Sequence, residues 1–439
     1  MRAGRRLGAA VAAVAVGAAG LSACSNASAS GGGSGAPGVT AHRIVVGALA
    51  TQSGPLSSGF GEVVDGVRAY FDMVNAQGGV AGRTIDLADA ADDQGSATVD
   101  TAAARTLVSA DHVFAVVGVA TPFFSAANYL AQTGTPTFGE VISTGWANHP
   151  NLFGVFGSVL DYSTNGPAVG WMAKQVGTTT AAVVAYTGVA QSEDACRADA
   201  TALQHAGVSV PVTDYSYAPG GNPDADVFRM YADHVQLLIS CLSGPDNLKF
   251  AQVMKQYHLA NANALWLDGY SRQTVAQNAA ATNNVFFLFQ HVPFETASTY
   301  ATTYPGMVQY VETMNRYAPK WTYDETAFEG WVAAAQFVAG LRAIGHGTLT
   351  QKTLVDAINK ETAFTAGGVM APVDWTTAHD KALPPYCVGF AEAANGQTVA
   401  ALLRPPGQAL TCFNGKDPTP VTPPKGTPGA PTGSSSGKG

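Results

Sequence analysis

A short apolar run, a loop of small and turn-forming residues, then a helical stretch: this unit recurs along the chain and narrows its fold more than any other property. Arg43–Ala50 (RIVVGALA) is apolar and β-branched, as a parallel strand buried on both faces would be. It ends at Thr51-Gln52-Ser53-Gly54-Pro55. From Glu62 onward, Val63, Val67, Tyr70, Phe71 and Val74 make one stripe of an amphipathic helix, which Gly78-Gly79 stops. The unit returns at His112–Val117, with the loop Gly118–Pro122 and a helix through Leu130 whose first turn takes the proline. It returns again at Ala181–Tyr186, with the loop Thr187–Ser192 and the acids Glu193-Asp194 in the next helix's first turn. Leu237–Cys241 leads through Leu242-Ser243-Gly244 to a helix start at Pro245, and Leu265–Leu267 ends at Asp268. This alternation predicts an α/β fold of doubly wound lobes, each an open, mostly parallel sheet with helices on both faces.

The chain of 439 residues has room for two or three domains. Its 46% apolar content excludes wholesale disorder, and a charged share of only 12% excludes a long coiled coil. Lys+Arg number 23 against 31 Asp+Glu, a net charge of −8, so nucleic acid would meet no positive field and is not expected as a partner. The nine histidines are scattered, with no H-E-x-x-H spacing; no G-x-S-x-G or G-x-x-x-x-G-K-[ST] motif occurs, and Gly59, Gly61 and Gly66 miss the dinucleotide spacing. No metal, cofactor or catalytic residue is therefore expected.

The ends of the chain carry different information. Residues 2–6 hold three arginines, and Leu7–Gly20 is an uncharged apolar run, short for a membrane span, so residues 1–23 read as a cleaved export signal. Leu21-Ser22-Ala23-Cys24 resembles the bacterial lipobox, in which Cys24 is lipidated and anchors the mature protein to the outer face of the cell membrane. Outside the cytoplasm the four other cysteines are expected to pair. Of three connectivities, Cys196–Cys241 and Cys387–Cys412 join neighbouring segments and are favoured; each would stabilise the fold by roughly 3–4 kcal/mol. Residues 24–42, Gly/Ser/Ala-rich through Gly38, read as a tether, and 416–439, rich in Pro, Thr, Gly and Ser, as a disordered tail.

In open α/β sheets, ligands bind beyond the carboxyl ends of the strands. That rule selects the loops Gln52–Phe60, Gly118–Pro122, Gly139–Thr144, Thr187–Ser192, Ser243–Asp246 and Asp268–Tyr270, and two lobes contributing them imply a cleft.

Ser53-Gly54-Pro55, Phe71-Asp72 with Asn75, the turn Gly78-Gly79-Val80-Ala81-Gly82-Arg83 and the pair Asp92-Asp93 follow one another in order and spacing. Together they resemble the type I periplasmic, or leucine/isoleucine/valine-type, solute-binding proteins of ABC importers, over most of Arg43–Phe390. The resemblance implies two lobes joined by three crossings, near Phe156–Asp161, Gln290–Phe294 and Ala343–Leu349. Lobe one would hold 43–160 and 294–345, lobe two 161–293 and 346–415. It also implies a monomer that passes a small solute to an importer's membrane subunits. Members for branched-chain amino acids hold the ligand carboxylate with hydroxyls and helix N-termini, and its ammonium with an acid in lobe two. On this chain Thr121 and Ser143 stand near the hydroxyl positions, and Asp268 matches the acid. Phe60 takes the place of the aromatic after the Ser-Gly-Pro loop but lacks a hydroxyl, Glu140 and Val141 occupy a loop that is neutral in those members, and Gln191 and Asp246 stand at the lobe-two tyrosine positions. Pro122 and Tyr270 complete the expected ligand-binding set. Three acids, Glu140, Asp246 and Asp268, would suit an amine, a polyol or another donor-rich solute rather than a branched-chain amino acid. A surface sensor with the same fold, and an exported hydrolase, are the competing readings.

Overall fold

The computed structural model describes residues 35–430 except Pro55, 163–165, 260–262, Leu267, Asp268, 383–385 and Arg404. The export signal, Cys24, Asp268 and residues 431–439 lie outside the described residues.

Two sheets organise the chain. The first contains β1 (Arg43–Ala50), β2 (Thr84–Asp92), β3 (Ala115–Ala120), β4 (Thr137–Gly139) and β5 (Leu152–Gly154), all parallel, in the order β2-β1-β3-β4-β5. The second contains β6 (Thr180–Tyr186), β7 (Ser209–Tyr217), β8 (Leu237–Cys241), β9 (Asn263–Trp266), β10 (Val285–Phe289), β11 (Tyr386–Ala394), β12 (Gln397–Ala401) and β13 (Thr411–Phe413). Its order is β12-β11-β10-β9-β8-β6-β7, with β13 on β11; β6 to β10 run parallel, and β11 pairs antiparallel with β10, β12 and β13. The parallel parts of both sheets share one winding, in which the first strand of each sits inside the second. The strand order therefore reverses between β1 and β3, and between β6 and β8, and a crevice opens at the carboxyl ends there.

Sequence explains the layers. Every residue of β1 after Arg43 is buried, as is all of β3, because helices cover both faces. The helix Val63–Ala76 turns Val63, Val67, Tyr70, Phe71 and Val74 inward. It crosses the long helix Glu325–Ile344 at two facing glycines: a Cβ on Gly66 would lie 1.8 Å from the Ala327 carbonyl oxygen, and one on Gly330 would lie 2.0 Å from that of Val63. Only residues without a side chain allow backbones this close.

Several boundaries differ from the sequence reading. β3 runs three residues later than His112–Val117, because Gly118 is a strand residue rather than a loop signal. Its φ of +92° and a register shift beside it let Val67 approach, with a Cβ there only 2.7 Å from Val67 Cγ2. The next helix starts at Ala127, so Pro122 stands in the loop. The third crossing also moves. The helix Gln351–Ile358 packs Ile358 against Gly340, Asn359 donates to the Pro150 carbonyl at 3.0 Å, and Trp375 meets Phe153 edge-on at 5.1 Å. Residues 346–380 thus sit on the first lobe, and Tyr386 begins β11 of the second sheet.

The expected disordered tail is in part ordered too: Val421 N–H donates to the Cys412 carbonyl at 2.8 Å, and Thr427 is buried. The cysteines pair as Cys196–Cys241 and Cys387–Cys412, the second pair facing each other across β11 and β13.

Candidate functional site

The carboxyl ends of β1, β3 and β4 face those of β6 and β8 across a cavity of about 350 Å³, within the usual range for small-molecule sites. Leu56, Phe60, Pro122, Glu140, Val141 and Ile142 form the first-lobe wall, joined by Glu325, Thr326 and Glu329 from the start of the long helix. Tyr186, Val189, Gln191 and Ser192, with Cys241, Leu242 and Ser243, form the second-lobe wall. Phe156 to Tyr162 and Leu288 to Gln290, on the passages between the lobes, close the back.

The polar groups around it are largely organised from behind. Asp93, buried at the end of β2, accepts from Thr51 Oγ1 at 2.6 Å, from the Gly95 amide at 2.9 Å and from Thr121 Oγ1, tying together the loops after β1, β2 and β3. Tyr186 presents its ring to the cavity while its hydroxyl donates to Asp246 Oδ2 at 2.6 Å and lies 2.7 Å from Ser243 Oγ. Asp246 also accepts from the Gly220 amide at 2.8 Å and from Lys249 Nζ at 2.9 Å. Burial opposes ionisation of Asp246, but the Gly220, Tyr186 and Lys249 donors outweigh it and hold its carboxyl below the usual value. Burial, reinforced by Asp246, pushes the Tyr186 hydroxyl well up, so it stays a neutral donor. A bond spans the cleft directly: Gln191 Nε2 of the second lobe donates to the Pro122 carbonyl of the first.

Of the residues expected to bind ligand, Phe60, Pro122, Glu140, Val141 and Gln191 come together on the cavity wall. Thr121 does not: it is 3% exposed, with its hydroxyl on Asp93. Ser143 precedes the short turn Thr144–Trp146, away from the lining. Asp246 stands behind Tyr186 rather than at the wall. Tyr270 is 1% exposed, stacked between Phe289 and Phe294 at 4.8 and 4.9 Å, and its hydroxyl donates to Glu295, so it belongs to the core joining the lobes. Asp268 lies outside the described residues.

Among the lining residues that sequence reasoning missed are Tyr162, Tyr186, Phe289, Glu325 and Glu329. A signal existed for the two acids. They stand four apart, hence on one face, in the mostly apolar run ETAFEGWVAAAQFVAG, and Glu329 is only 8% exposed. Among the described residues no group of His, Cys, Asp and Glu is arranged to hold a metal ion, and no helix is long and apolar enough to cross a membrane.

Solved structures share this fold at low identity. A fatty acid ABC transporter substrate-binding protein from Thermomonospora curvata is 19% identical, with a TM-score of 0.67 over 84% of this chain and 93% of that one. An ABC transporter solute-binding protein from R. palustris, in complex with benzoate, is 18% identical, with a TM-score of 0.67 over 88% and 99%. A possible leucine/isoleucine/valine-binding protein from Rhodopirellula baltica is 17% identical, with a TM-score of 0.67 over 82% and 96%. No curated protein matches the sequence. The family model for periplasmic binding proteins matches residues 43–397. With a match over most of its length and two lobes facing across a cavity, the chain belongs to the periplasmic binding protein family, whose members here are solute-binding components of ABC transporters rather than enzymes.

Proposed function

We propose that the protein is a lipid-anchored receptor, tethered through Cys24 outside the cell, that captures a small solute bearing a polar head group and delivers it as a monomer to an importer's membrane subunits. The observation that carries this reading is the cavity itself, whose walls come from the carboxyl ends of strands in both lobes. A solute there touches both lobes at once, so its binding energy favours the closed arrangement in proportion to its preference for that state. Phe60, Pro122 and Val141 supply apolar wall, Glu140 a polar anchor from the first lobe and Gln191 one from the second. Asp268, which follows the Leu265–Leu267 run in the sequence, is retained as a further anchor.

Two experiments test the reading. Deleting the gene should abolish uptake of the solute that raises the protein's melting temperature; uptake that persists while a downstream response disappears would identify a sensor instead. Cys24→Ser should release the protein from the membrane fraction with its melting temperature unchanged, and continued retention would contradict the anchor.

A further inference from the structure

The geometry points to a solute with a hydrocarbon body and a single polar head as the class this cleft takes, to the exclusion of sugars and other polyols; the inference rests on the receptor reading above. The hydroxyls on the cavity wall already donate to the protein itself. Tyr162 donates to the Ile142 carbonyl at 3.3 Å, Ser192 to the Cys241 carbonyl at 2.6 Å, Thr326 to the Gly59 carbonyl at 2.9 Å and Tyr186 to Asp246 at 2.6 Å. With the Tyr186 hydrogen on Asp246, the Ser243 hydroxyl 2.7 Å away donates to Tyr186. Gln191 spends one amide hydrogen on the Pro122 carbonyl, and Tyr386 has a partner of its own. No Lys, Arg or His stands among the described lining residues. Among those residues the side-chain donors left for a solute are Gln290 and the second amide hydrogen of Gln191.

A polyol fits such a wall badly. Each of its hydroxyls brings an oxygen that needs a donor as well as a hydrogen that needs an acceptor. Glu140, Asp161, Glu325 and Glu329, none of them without a partner already, could take some of the hydrogens. The oxygens would be desolvated with too few donors opposite, each at a cost of about tenfold in affinity.

A hydrocarbon body needs no donor, and the wall meets it on every side: Phe60 and Val141 from the first lobe, Val189 and Leu242 from the second, Phe156 and Leu288 from the passages. One head is also provided for. The helices Ala190–His205 and Gly244–Gln256 begin at the second-lobe wall, after Val189 and Ser243, without side-chain caps, so backbone N–H groups there can serve an acid or a neutral oxygen. An ammonium would turn to the carboxyl groups instead. Heads of either sign are compatible with the wall.

The test uses the full-length protein and two matched pairs of probes, titrated by calorimetry: cyclohexanol with inositol, and cyclohexanecarboxylate with quinate. The second member of each pair carries additional hydroxyls on the same six-carbon ring. Within each pair the hydrocarbon ring should bind about tenfold or more tighter. Phe60→Ala should weaken both hydrocarbon probes about tenfold. Val141→Thr, which keeps the shape of the wall, should weaken them about threefold and serves as the informative variant if the Phe60 change unfolds the chain. Inositol or quinate binding as tightly as its hydrocarbon partner overturns the inference and leaves the receptor reading intact. Absence of binding by both hydrocarbon probes overturns it too, as does binding that both variants leave unchanged, while loss of uptake on gene deletion continues to support the receptor.

Discussion

Gln191 ties the two walls together without any solute, through its bond to the Pro122 carbonyl. Gln191→Ala removes that bond from the buried Pro122 carbonyl, at a cavity wall where water can take the side chain's place. We expect solute to dissociate about fivefold faster, the equivalent of ~1 kcal/mol, with the melting temperature of the empty protein little changed; unchanged dissociation in stopped-flow measurements would show that the bond does not act in closure. Asp199 behaves differently. It is fully buried on the helix Ala190–His205, and desolvation raises its carboxyl from 3.8 to about 8. The folded chain keeps this proton between about pH 4 and pH 8 while the unfolded chain loses it, so Asp199 lowers stability progressively as pH rises through that window. Asp199→Asn should gain roughly 2–5 kcal/mol on the parent protein between pH 4 and pH 8, measured by urea unfolding. Parallel pH profiles for the two proteins would contradict the assignment. Which polar residues reach the cavity was only partly legible at this scale. Glu140 and Gln191 stand in loops and do face it, whereas Thr121, Asp246 and Tyr270 bond to interior partners distant in sequence, Asp93, Tyr186 and Glu295. Spacing along the chain carries no record of such partners.

Elements were read best where one residue type decides them. The stretch Leu237–Cys241 followed by Pro245 gives β8 and its helix as expected, because an apolar run and a proline near a helix start each have one dominant meaning. Gly118 has two meanings, a turn or a close approach, and the second holds here because Val67 fills the space a side chain would need. The same logic governs the crossing of the helices Val63–Ala76 and Glu325–Ile344. Gly66→Ala would push the Ala327 backbone away from residue 66, and we expect a loss of about 2–3 kcal/mol from such overpacking, seen as a lower urea midpoint at unchanged slope. Because the long helix carries Glu325 and Glu329 into the cavity, the same variant should also weaken solute binding. Wild-type stability in Gly66→Ala would mean that the two helices are free to separate.

At the scale of the molecule, recurrence of strand, loop and helix was enough to specify two α/β lobes and a cleft at strand ends, since the winding of parallel strands leaves few alternatives. The third crossing was not legible. Residues 346–380 contain one short helix and then irregular chain, and their place on the first lobe is set by contacts such as Trp375 on Phe153 and Asn359 on Pro150, more than 200 residues distant in each case. Both lobes also meet through the rings of Tyr270, Phe289, Phe294 and Phe328, which stiffen the passage side while the opposite mouth of the cleft is spanned by Gln191. The most direct measurement is a crystal structure of the protein with the solute that most raises its melting temperature in a screen of ammonium, neutral and carboxylate compounds. The account predicts that solute inside the cavity, touching Phe60 or Glu140 on one side and Tyr186 or Gln191 on the other. A solute bound elsewhere, or held by one lobe alone, would contradict it.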